Sequence, residues 1–215
     1  PDADEPVDLT FRRQQFRLHA GRAAFSRGIE RADLYAGYTD WTHTELEGDH
    51  VCTRFFNKQF TARAVFEQHP AGRLAGRFGF YSVVRDYNAA GHESLSPPVN
   101  QLGLAVFALE EVNLERVKLQ FGARYEHTGY SPTGAPARGF DGLSAAAGAN
   151  APLWSGGALA INYTRSYRAP ALEELYNYGP HAGNLTFEIG NSSLKRELGN
   201  GIDAAVRHEG RRARG

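Results

Sequence analysis

The feature that most constrains how this chain can fold is a period-two alternation that recurs from end to end. It is clearest at 116–127, where Val117, Leu119, Phe121, Ala123 and Tyr125 alternate with Arg116, Lys118, Gln120, Gly122, Arg124 and Glu126. In an extended strand successive side chains point to opposite faces, so such a segment has one apolar and one charged face. The stretch 57–67 repeats the pattern with Phe60, Ala62, Ala64 and Phe66 on one side, and 73–82 repeats it with Leu74, Phe78 and Phe80. Fainter versions lie near 8–18, 29–41, 99–110, 141–152, 157–167 and 198–209. Together they predict about nine strands of the length that a tilted bilayer crossing requires.

Connection lengths carry the next step. Tight turns are expected near 68–73, 111–115 and 153–157, and longer polar loops near 42–52, 88–98, 129–140 and 168–197. Short turns at one end and long loops at the other is the arrangement of an outer-membrane barrel. A soluble β-sandwich also alternates, but its strands are usually about 5–6 residues long and its apolar faces must interdigitate. Here the apolar faces mix Ala and Gly with Phe, Leu and Tyr, as a lipid-facing band can. Tyr35, Tyr38, Trp41, Tyr125 and Tyr130 are candidates for an interfacial aromatic girdle. The fold class is therefore all-β, an antiparallel transmembrane β-barrel segment.

Composition narrows function. Lys+Arg and Asp+Glu both number 24, so no basic field recommends nucleic acid as a partner. Cys52 is the one cysteine and can close no internal disulfide or thiolate metal site. The longest apolar run, 102–109, stops at Glu110 and falls short of the ~18 residues of a membrane helix. Methionine is absent, so the chain is expected to be mature, truncated or a fragment. No nucleophile elbow or phosphate loop is present, which argues against an enzyme, and no cofactor is expected. The glycosylation-like triplets at Asn162, Asn184 and Asn191 are read as chance.

Residues 166–176, SYRAPALEELY, combine a strand end with a short helix: Pro170 suits a first helical turn and Glu173 and Glu174 suit a helix N-terminus. With GPHAGNLTFEIGN at 179–191 and SLKRELGNGIDAAVRH at 193–208, this stretch resembles the barrel domain of TonB-dependent outer-membrane receptors. The family's Leu-Lys-Pro-Glu-like stretch has Arg196 where proline is usual. Upstream, 37–58, 98–111 and 119–127 look like the branch associated with zinc or other metal uptake. The resemblance implies a barrel of about 22 strands filled by an N-terminal plug. Residues 1–215 would then be part of the barrel, without the plug, as an open sheet with two edges. It implies residence in the bacterial outer-membrane lipid bilayer and energy from the TonB complex through a plug outside this chain. The cargo would be a scarce nutrient such as a metal, metal-siderophore, haem or cobalamin. A passive porin or structural barrel is the alternative.

Candidate ligand-binding residues follow from chemistry. The predicted loop at 42–52 carries His43, Glu45, Glu47, Asp49 and His50, donors able to meet a divalent ion in a flexible loop. His43, Glu45 and His50 are the metal candidates, with Glu47 and Asp49 as further ligand-facing groups. His181 with Glu188 forms a second candidate, and His92 with Glu93 a third. Arg63, Arg77, Arg116, Lys118, Arg124, Asp203 and Arg207 are expected to line the lumen, chiefly as partners of a plug.

Overall fold

Alternation builds one antiparallel sheet. The computed structural model describes residues 7–91, 94–181, 186–210 and 213–214. Nine long strands run in chain order: β1 (Val7–Ala23), β2 (Ile29–Glu47), β3 (His50–Gln68), β4 (Leu74–Gly91), β5 (Val99–Asn113), β6 (Lys118–Pro132), β7 (Arg138–Trp154), β8 (Gly157–Arg168) and β11 (Glu197–Gly210). Each pairs with the next, β8 with β11, and a two-residue β12 (Ala213–Arg214) follows β11. Between β8 and β11 lie helix α1 (Leu172–Tyr176) and a small hairpin of β9 (Tyr178–His181) and β10 (Thr186–Ile189). Among the described residues β1 pairs only with β2, so the sheet is open. The nine predicted strands are all present.

The two faces differ as the sequence requires. Leu34, Phe60, Phe80, Val106, Tyr125 and Ile202 are exposed on the outer face. The opposite, lumenal face carries α1, because Tyr87, Val99, Tyr130 and Phe140 pack with Leu172 and Leu175. Arg63 lies over Phe107 at 5.4 Å and Arg124 over Tyr81 at 5.6 Å on this inner side, while Lys118 pairs with Glu111 at 2.6 Å. Arg116 belongs to the β5–β6 turn rather than to a strand, because β6 starts only at Lys118.

Strands outrun the bilayer at one end. On the outer face of β2 to β5 one row of cross-strand partners, Asp40, Lys58, Asp86 and Asn100, is polar, and beyond it only Phe56 adds a large apolar side chain next to the row. Beyond that row the β2–β3 hairpin continues through Glu47, about seven residues or about 23 Å of strand. The expected flexible loop at 42–52 is therefore a projecting hairpin: Glu47 pairs with His50, and only Gly48 and Asp49 turn. Gly48 takes φ 56°, a left-handed conformation that suits glycine in a two-residue turn. The loop expected at 129–140 likewise shrinks to 133–137. Strand pairing extends into water here because it satisfies the backbone at no packing cost.

The long connection folds back inside. Ala171 is the N-cap of α1, and its N–H donates to Glu174 Oε2 at 2.7 Å, one half of a capping box. Pro170 sits one residue before the cap rather than in the first turn, fully buried, with its carbonyl accepting from the Tyr130 hydroxyl at 2.9 Å. Arg168 at the end of β8 makes paired 3.0 Å bonds to Glu174 and binds Glu197 at the start of β11. Arg196, at the family's proline position, donates to the Asp141 carbonyl at 2.7 Å and ties the returning chain to β7. Leu175 is 2% exposed at the centre of the apolar cluster. In the full receptor Leu175→Ala should destabilise this connection by about 2–5 kcal/mol. Limited proteolysis should then cut within 169–196 first, with the membrane strands left intact.

Candidate functional site

The donors singled out in two distant sequence segments meet in one recess. At the long-loop end of the lumenal face, an open cavity of about 460 Å³ is bounded by β2, β3, β4 and the in-folded connection. One wall carries Trp41, His43 and Glu45, alternate residues of β2 that share a face. The other carries Glu173, Asn177, His181 and Glu188 from α1, β9 and β10. Phe55, Arg85, Tyr87 and Leu95 close the floor.

Each wall holds a histidine–carboxylate pair. His43 Nε2 lies 3.4 Å from Glu45 Oε1, with its ring 5.4 Å from Trp41 and 5.6 Å from Phe55, and both side chains are half-buried. His181 Nδ1 lies 2.8 Å from Glu188 Oε1, and Glu188 Oε2 accepts from Asn177 Nδ2 at 2.6 Å. A carboxylate on one ring nitrogen orients a histidine and leaves its other nitrogen for a ligand. Arg85 donates to Asn57 Oδ1 at 3.1 Å, stands 3.8 Å from Glu173 and lies over the Tyr87 ring at 5.1 Å. The recess thus offers aromatic faces, a guanidinium and two oriented imidazoles.

Backbone contacts hold the far wall in place. Tyr178 N–H donates to Leu95 O at 2.7 Å, and Gly190 N–H to Asn177 O at 2.6 Å. A Cβ at Gly190 would come within 2.9 Å of the Asn177 backbone, so glycine is what lets β10 return beside the helix end. Arg138 adds a bond to Leu194 O at 2.9 Å.

Other candidates fall elsewhere. His50 and Asp49 are exposed at the hairpin tip. His50 lies opposite Glu47, four strand positions or about 13 Å beyond His43, a separation that extended geometry imposes. Glu47 ends β2, and its side chain lies outside the described residues, as do His92, Glu93 and Asn184. Among the described residues no three His, Cys, Asp or Glu side chains group to hold a bare ion. The girdle set also divides. Tyr38 and Tyr125 are exposed on the outer face, whereas Tyr35 stacks on His19 at 4.3 Å, Trp41 lines the recess and Tyr130 is buried beneath α1. The sequence reading passed over Arg85, Tyr87 and Asn177 as site residues. The parity of Trp41, His43 and Glu45 along one strand was the available signal.

An antiparallel membrane wall whose long connection folds over its lumenal face to complete a recess is part of a membrane β-barrel. The chain matches the family described as TonB dependent receptor-like, beta-barrel, over residues 5–215, and it belongs to that family. Its fold is similar to the copper transporter OprC, with a TM-score of 0.79 at 14% identity over 97% of this chain and 38% of that one. It is also similar to the ferric yersiniabactin uptake receptor FyuA from Yersinia pestis, with a TM-score of 0.51 at 14% identity over 97% of this chain and 35% of that one. The chain thus spans well under half the length of these receptors.

Hydrogen bonds from Asn177 and then His181 hold Glu188 below its ordinary value of 4.5. A depressed carboxylate stabilises the fold above its unfolded-state pKa and ceases to do so as pH falls through the lower folded value. Amide-exchange protection of 178–181 and 186–189 in the full receptor should stay constant from neutral pH to about 5 and fall below the ordinary carboxylate range. A Glu188→Gln variant should lack that acid step.

Proposed function

We propose that this chain is part of the wall and the extracellular vestibule of an outer-membrane receptor that takes up a metal chelate, with energy delivered by the TonB complex through a plug carried elsewhere in the protein. The observation that carries this reading is the meeting of two histidine–carboxylate pairs across one aromatic-lined recess beyond the apolar band. Aromatic faces and Arg85 suit a planar, anionic chelating group, and an oriented imidazole suits the metal it holds. The absence of a grouped set of three donors among the described residues favours a chelate, which brings most of its own ligands, over a bare ion. The recess lies beyond the row of Asp40, Lys58 and Asp86, on the side of the long loops, which supports capture from outside the cell.

Quenching of tryptophan emission in the full receptor by a ferric bis-catecholate, which leaves two coordination positions open, with a zinc salt alongside, tests the reading. The quench that disappears in Trp41→Phe reports the recess. We expect His43→Ala and His181→Ala each to weaken catecholate binding about tenfold, a loss of about 1.4 kcal/mol, and His50→Ala to leave it unchanged. Affinity unaltered by both recess variants would remove the site.

A further inference from the structure

Away from the recess, the outer face holds an apolar trough of about 490 Å³ over Ala62, Ala64 and Ser82. A polar counterpart of about 430 Å³ lies on the lumenal face and is lined by Arg63, Tyr81, Phe107 and Arg124. Strand register builds it. Arg63, Tyr81, Ala105 and Glu126 are successive partners in one cross-strand row from β3 to β6, and Val65, Gly79, Phe107 and Arg124 are successive partners in the row beside it. Small side chains at Gly79 and Ala105 let each arginine lean diagonally into the other row. Arg63 thereby lies over Phe107 at 5.4 Å and Arg124 over Tyr81 at 5.6 Å. A Cβ at Gly79 would stand 2.6 Å from Phe107 Cζ, so the ring takes the space that a side chain there would fill. Each guanidinium has one face against a ring, which leaves its in-plane N–H groups for a ligand.

Charge and shape identify what fits. Arg63 and Arg124 bring two positive charges, and Arg124 Nε donates to Glu126, which offsets one of them. Among the described residues no carboxylate pairs with Arg63. One positive charge is left over, and it matches a single monoanion. The guanidinium fork suits the two coplanar oxygens of a carboxylate, and the flanking rings suit a flat group. Along β4 the pocket's Tyr81 lies four residues, or about 13 Å, below Arg85 of the recess. It is therefore a separate cationic station on the same wall, nearer the short turns.

We propose that Arg63, Tyr81, Phe107 and Arg124 form a carboxylate-binding pocket on the lumenal wall. An acidic side chain of the plug and a carboxylate-bearing ligand passing along the wall present the same chemistry to it. The inference rests on the reading of this chain as a receptor wall and is independent of the histidine recess.

Carbodiimide cross-linking of the full receptor tests it and separates the two sources. Arg63→Lys keeps the charge and supplies an amine, which the reagent joins as an amide to a carboxylate in contact. The variant is treated with and without benzoate, a flat monocarboxylate, and peptides holding position 63 are mapped by mass spectrometry. A link to an Asp or Glu outside residues 1–215 assigns the carboxylate to the plug. A benzoyl adduct at position 63 assigns it to a free ligand. In both cases adding Arg124→Gln should lower the product at least fivefold, with reaction at exposed Lys58 on the outer face unchanged. A link confined to Glu126, no product, or a product undiminished by Arg124→Gln would overturn the proposal. If Arg63→Lys fails the heat-shift test for a folded barrel, Arg124→Lys with Arg63→Gln decides in its place. His43→Ala should leave the product unchanged, whereas fractionation of the receptor away from the outer membrane would defeat the parent reading.

Discussion

Inside a bilayer a backbone N–H or C=O without a partner costs several kcal/mol, and nothing in lipid can supply that partner. The rest of the structure follows from how the chain meets this demand. An uninterrupted antiparallel ladder from β1 to β8 and on to β11 satisfies the main chain strand by strand. The same ladder fixes side-chain direction, so an apolar residue at every second position faces lipid while Arg63, Arg124 and Lys118 turn to the lumen. Because the ladder continues past the apolar band, β2 and β3 rise beyond it as one side of a vestibule.

The long connection between β8 and β11 depends on that wall. Its helix is too short to stand alone, and burial of Leu172 and Leu175 against Val99, Tyr130 and Phe140 gives it a reason to form. Arg168 adds direction. Exposed ion pairs contribute little individually, but paired contacts to Glu174 and Glu197 join the end of β8, the helix and the start of β11 in one geometry. Hydrogen bonding to Arg168 and then to the Ala171 N–H holds the Glu174 carboxyl below its usual range. With the helix seated, β9 and β10 are carried over the lumen and His181 is brought opposite His43.

Two recesses on opposite faces of one sheet then have different physical origins. The lumenal one is made by a loop closing over a wall, and its polar groups come from three separate parts of the chain. The outer one is made by small residues in neighbouring strands, with no loop involved.

Much of this was written in the chain. Nine alternating segments determined the strands and their faces, because a period of two has one structural meaning in lipid, whereas the loops expected at 42–52 and 129–140 proved to be short turns at the ends of longer strands. Resemblance in SYRAPALEELY pointed to the family. What the chain did not reveal was distance. His43, Glu45 and His50 are near neighbours in sequence, yet extended backbone spreads them along a hairpin, so the tip residues leave the site. His181 and Glu188 are well over a hundred residues away, yet the seated helix brings them to face His43 and Glu45. Periodicity governs which face a side chain takes and is local. Which residues meet across the vestibule was decided only by tertiary packing, because burial of Leu172 and Leu175 sets where the connection lies over the wall.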